Sequence, residues 1–126
     1  MQIHESAEDY LEQILMLKEK IGYVRSIDIA NSLGYSKPSI SIAMKHLREN
    51  GYIEMDKDNL ISLTASGMEI AERVYNRHKT LRTMLLDLGV SEENAEKDAC
   101  KIEHDISEET FAKITAFVQN LEKNKK

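Results

Sequence analysis

Residues 26–51, Ser-Ile-Asp-Ile-Ala-Asn-Ser-Leu-Gly-Tyr-Ser-Lys-Pro-Ser-Ile-Ser-Ile-Ala-Met-Lys-His-Leu-Arg-Glu-Asn-Gly, decide the fold. Ser26 begins a short helix whose Ile29, Ala30 and Leu33 face inward, and Gly34 breaks it. Ser36 caps a second helix, where Pro38 is tolerated because N–H groups of a first turn have no intrahelical partner. Ile40, Ala43, Met44 and Leu47 then recur at i, i+3, i+4 and i+7, the pattern of a helix with one buried stripe. Two short helices joined by a tight glycine-containing turn read as a helix-turn-helix.

Such pairs also occur in proteins that never touch DNA, so the exposed face has to decide. Between Asp28 and Glu49 there is no acidic residue, although the chain carries 22 Asp and Glu against 17 Lys and Arg. Lys37, Lys45 and Arg48 make that face basic. Ser36, Ser39 and Ser41 are short hydrogen-bonding groups near a helix N-terminus that favours phosphate, and an exposed Ile42 would meet a thymine methyl. These residues, with Pro38, are the DNA-contact candidates. Gly51 ends the helix, and Tyr52–Met55 and Leu60–Leu63 bracket Asp56-Lys57-Asp58-Asn59, the pattern of a two-stranded hairpin. A helix-turn-helix followed by such a hairpin is a winged helix. Lys57 at the wing tip is placed to reach a phosphate, with Asp56 and Asp58 weakening that contact.

Upstream, Ser6 is positioned to cap a helix to about Lys20 with an apolar stripe of Tyr10, Leu11, Ile14, Leu17 and Ile21; Asp9 and Glu12 fall beside it. Downstream, Thr64 caps a long helix to about Leu88, in which Ile70, Ala71, Val74, Leu81, Met84, Leu85 and Leu88 are apolar and His78 shares their stripe. Ser91 starts the next helix and Ser107 the last, where Phe111, Ile114, Val118 and Leu121 line up. Lys123–Lys126 read as a frayed end. The apolar surface of these later helices exceeds what a small winged helix needs and points to a dimer interface.

Cys100-Lys101-Ile102-Glu103-His104 sets a thiol, a carboxylate and an imidazole at i, i+3 and i+4, which share one face of an α-helix. All three bind divalent metals, but one helix rarely completes a coordination shell; Asp9, Glu12 and His78 are the candidates to complete it. Each has a plainer reading. Asp9 could close a capping arrangement with Ser6, Cys100 could be a small buried hydrophobe, and His78 could be a satisfied core residue. The 126 residues, 41% hydrophobic and 31% charged, fit one domain or two small ones sharing a core. A single cysteine excludes an internal disulfide. With no signal-peptide pattern or bilayer-length apolar run, a cytoplasmic protein is expected. Two other chemistries stay open on these residues: a zinc hydrolase, and a thiol-based redox regulator working through Cys100. No phosphate-cradling glycine loop or nucleophile with a spaced base is present.

Ala7-Glu8-Asp9-Tyr10-Leu11-Glu12-Gln13-Ile14, Leu63-Thr64-Ala65-Ser66-Gly67, Arg77-His78 and Asp98–His104 together carry a family resemblance. The chain resembles the diphtheria-toxin-repressor-like group of metal-dependent transcriptional repressors, and more closely its short manganese-responsive branch. The resemblance implies a mainly α fold, with a winged helix-turn-helix over 1–64 and a helical metal-binding and dimerisation domain over 65–126. It implies Asp9, Glu12, His78, Cys100, Glu103 and His104 as metal ligands. The ion would be Mn2+ or Fe2+, with Zn2+ and Co2+ also binding in vitro. The expected function is repression without enzymatic activity, by a homodimer on double-stranded operator DNA, with neither a membrane nor an organic small molecule as partner. Cys100 stands where the manganese branch usually has Glu, and Arg82 and Glu96 replace ancillary ligands of the iron branch.

Overall fold

The helix-turn-helix forms as its punctuation predicts, in a computed structural model that describes residues 5–124. Helix α2 spans Ser26–Leu33, opened by a bond from the Arg25 amide to the Asp28 carboxylate (2.9 Å) and closed at Gly34, whose φ of 73° is left-handed. Helix α3 spans Lys37–Glu49; Ser36 caps it, its hydroxyl accepting from the Ser39 amide, and Ile40, Met44 and Leu47 are buried. Strands β1 (Ile53–Met55) and β2 (Ile61–Leu63) pair antiparallel with Ile53 opposite Leu63. At the wing tip the Asp56 carboxylate accepts from the amides of Asp58 (2.8 Å) and Leu60 (2.9 Å). Arg25 Nε also donates to the Asp58 carbonyl at 3.2 Å, tying the tip to the residue that opens α2.

Helix α1 (Glu5–Ile21) packs on α2 and β2, and this double contact buries Leu15 along with Leu11, Ile14 and Leu17. Two details differ from the sequence expectation. Ser6 lies inside α1, because Glu5 is already helical, and Ile21 in the last turn is 40% exposed. The inward position passes instead to Val24, whose carbonyl accepts from the Ile61 amide.

Helix α4 spans Ala65–Asp87, and the chain divides into two compact units between its Arg73 and Val74. Its start belongs with the winged helix. The Thr64 hydroxyl donates to the Gly51 carbonyl and accepts from the Gly67 amide, while Gly67 passes so close to the Tyr52 carbonyl that a Cβ there would collide with it. Arg73 pairs with Glu8 of α1 at 2.8 Å.

In the second unit α4 is followed by α5 (Glu92–Ile102) and α6 (Glu108–Asn124), capped by Ser91 and Ser107. Val74, Leu81, Ala95, Ala99 and Val118 are buried, while Leu88, past the end of α4, is 70% exposed and not part of the stripe. Lys123 and Asn124 still belong to α6; Lys125 and Lys126 of the expected frayed end lie outside the described residues. A correction bears on the metal question. Helix α5 stops at Ile102, so of Cys100, Glu103 and His104 the first two keep the helical spacing while His104 falls in the turn beyond the helix. Glu103 is the C-cap and keeps helical dihedrals (φ −57°, ψ −23°), but the next turn tightens through a bond from the Asp105 amide to the Ile102 carbonyl. His104 lies in that turn. Among the described residues, no helix is long and apolar enough to cross a membrane.

Candidate metal centre and nucleic-acid interface

Helix α4 places His78 inside the second unit, where both ring nitrogens face carboxylates. Nδ1 lies 3.1 Å from Glu103 Oε2 and Nε2 lies 2.8 Å from Glu96 Oε1. Glu103 is 2% exposed, and its Oε1 is buried without a hydrogen-bond partner among the described residues, 3.4 Å from His104 Nε2. A buried carboxylate is costly unless a positive charge or several donors compensate it. A neutral imidazole carries one N–H, so it can donate to only one of two flanking carboxylates. The other nitrogen then presents a lone pair to an anionic oxygen, a pairing that a shared cation turns into attraction. On this chemistry His78 and Glu103 fit a divalent metal.

Arg77 holds the loop that presents this carboxylate. Its Nη1 donates to the backbone carbonyls of Glu103 (3.1 Å) and Ile106 (3.4 Å), its Nη2 pairs with Glu108 at 2.8 Å, and its guanidinium lies over the Phe111 ring. These bonds satisfy carbonyls that the end of α5 leaves without intrahelical donors. Arg82 Nε in turn holds Glu96 Oε2 at 3.0 Å.

The remaining ligand candidates lie on α5 and α1. Cys100 is exposed on α5, three residues before the Glu103 C-cap. Asp9 and Glu12 lie on α1 in the first unit; Asp9 is half-buried and Glu12 is buried. Burial, with Tyr35 and then Asp9 adding to it, raises the Tyr10 phenol above its ordinary pKa of 10.0. Sequence reasoning missed Arg77, Glu96 and Arg82 as supports of His78 and Glu103. Their partners are 14 or more residues away, so no helical or strand period links them.

On the first unit Lys37, Pro38, Ser41, Ile42, Lys45 and Arg48 are all exposed on α3, and Lys57 is exposed at the wing tip. Pro38, Ser41, Ile42, Lys45 and Arg48 recur at three- and four-residue spacing, forming one face. Lys45 has Glu49 at 3.9 Å, with both side chains mostly exposed. Ser36 and Ser39 differ from Ser41, because their hydroxyls bond each other at 2.8 Å within the cap. Asp56, beside Lys57, accepts from the amides of Asp58 and Leu60 through Oδ1.

Comparison with known proteins covers both units. Residues 2–60 match the N-terminal DNA binding domain of iron dependent repressors, and residues 64–126 match their metal binding and dimerisation domain. The chain is 39% identical to the transcriptional regulator MntR of Escherichia coli O6:H1 over 115 residues, covering 91% of this chain and 74% of that protein. It is 36% identical to the HTH-type transcriptional regulator MntR of Geobacillus kaustophilus over 121 residues, covering 96% and 86%. A manganese-dependent transcriptional repressor solved with manganese superposes with a TM-score of 0.80 at 30% identity. That superposition covers 90% of this chain, which spans about half (52%) of that longer one.

Proposed function

The chain belongs to the iron-dependent repressor family of metal-dependent transcriptional regulators, and from that premise we propose that it represses transcription in the cytoplasm by binding double-stranded operator DNA as a homodimer when loaded with Mn(II) or Fe(II), without a catalytic step. In this reading residues 1–64 bind DNA and residues 65–126 bind metal and dimerise. The ligands are Asp9, Glu12, His78, Cys100, Glu103 and His104. The observation that carries it is the buried Glu103 carboxylate flanked by the rings of His78 and His104. A divalent cation, when bound, supplies the positive charge that lets Asp9, Glu12 and Glu103 act in one site. A ligand set drawn from both α1 and the α4–α5 region makes the DNA-binding unit sensitive to metal occupancy, and DNA must then raise metal affinity by the same factor. The exposed Leu88 and Phe117 offer apolar surface to a second copy. On DNA, Lys37, Lys45, Arg48 and Lys57 are assigned to phosphates and Ser41 and Ile42 to base edges, with Ser36, Pro38 and Ser39 shaping the α3 N-terminus.

Fluorescence anisotropy on a palindromic duplex, selected in vitro with Mn(II)-loaded protein, tests the reading. Binding should tighten by about 10- to 100-fold with Mn(II) over chelator-treated protein. Equal affinity in the two conditions would remove the metal switch.

A further inference from the structure

We propose that Glu96 is a positioning residue for the metal: it accepts a hydrogen bond from His78 Nε2–H and thereby commits Nδ1 to coordination. The inference rests on His78 being a ligand, as proposed above. Three observations carry it. The His78 Nε2 to Glu96 Oε1 contact, at 2.8 Å, is shorter than that of Nδ1 to Glu103 at 3.1 Å, so a carboxylate acceptor stands within close hydrogen-bond reach of Nε2 on the side away from Glu103. Glu103, on the Nδ1 side, is the buried carboxylate whose second oxygen has no hydrogen-bond partner among the described residues, whereas Glu96 is half-exposed. The other Glu96 oxygen is held by Arg82 at 3.0 Å. That guanidinium fixes the carboxylate in place and, being a permanent cation, opposes recruitment of Glu96 as a direct ligand.

A histidine ligand whose distal N–H is given to a carboxylate has a fixed tautomer and ring orientation and greater basicity. Arg82, Glu96 and His78 thus form a chain from the surface to the metal-facing nitrogen.

The test uses the full chain with Mn(II) in a chelator competition, together with nitrogen-15 NMR of the histidine rings with diamagnetic Zn(II). Glu96→Ala should weaken Mn(II) binding by about 10- to 100-fold, with unchanged circular dichroism. Glu96→Gln, whose carbonyl still accepts from Nε2–H, should recover most of that loss. In the wild type the His78 Nε2 resonance should keep its proton and Nδ1 should shift on metal binding. Glu96→Ala with affinity within about twofold of wild type, or a metal-dependent shift at Nε2, would overturn the inference. His78→Ala separates the two levels: if it leaves affinity unchanged, the ligand set itself is wrong, whereas a large loss there alone sinks only the role of Glu96.

Discussion

Arg77 Nη1 donates to the backbone carbonyl of Glu103 at 3.1 Å, so a buried cation on α4 fixes the residue that closes α5. The contact joins the helix carrying His78 to the turn carrying Glu103 and His104.

Arg77→Ala should therefore lower stability and metal affinity together. Loss of hydrogen bonds to a charged donor costs about 1.5–3 kcal/mol. Lysine recovers only part of it, because one ammonium cannot reproduce the planar fork that reaches the Glu103 and Ile106 carbonyls and Glu108 together. Urea denaturation of metal-free protein measures the first effect; a midpoint equal to wild type for Arg77→Ala would show that the turn holds itself.

Gly67 gives a prediction whose sign opposes helix propensity. Within a helix, Gly→Ala ordinarily stabilises by about 1 kcal/mol. Here the new methyl meets the Tyr52 carbonyl, which also accepts from the Thr64 amide, so the wing and α4 must separate. Gly67→Ala should destabilise by about 1–3 kcal/mol, read as a lower thermal midpoint; a higher one would mean the junction yields freely.

The α3 face predicts two kinds of DNA defect. Lys45→Ala should weaken binding to every duplex alike and reduce the slope of log affinity against log salt by about 1. Ser41→Ala should change the preferred base at one position. Ser36→Ala removes the cap hydroxyl that accepts from the Ser39 amide and should cost about 1 kcal/mol of stability. Salt titrations on specific and random duplexes distinguish these; a sequence-specific defect in Lys45→Ala would reverse its assignment.

Cys100 sets the metal ranking. A thiolate favours Fe(II), Co(II) and Zn(II) over Mn(II) relative to an oxygen donor. Cys100→Glu should shift operator activation toward Mn(II), and Asp9→Ala should leave metal bound while weakening its coupling to DNA. Anisotropy titrations with each ion measure both. An unchanged ranking in Cys100→Glu would show that the exposed thiol is not a ligand.

The winged helix is legible in the amino-acid sequence because its signals are local. Gly34 and Gly51 need left-handed backbone, Ser36 caps across three residues, and the Ile40, Met44, Leu47 stripe is set by the helical period. The metal-binding residue types were legible too, since thiol, imidazole and carboxylate at close spacing are uncommon together. Only the tertiary structure decided how they are presented. The helical period holds from Cys100 to Glu103 and is lost only at His104, beyond the end of α5, and that end is held by Arg77, 26 residues before Glu103 in sequence. Likewise His78 meets Glu96 and Glu103 across separate helices, where position depends on packing around Ala95 and Ala99. Contacts of that range follow from how helices stack, which no local spacing encodes.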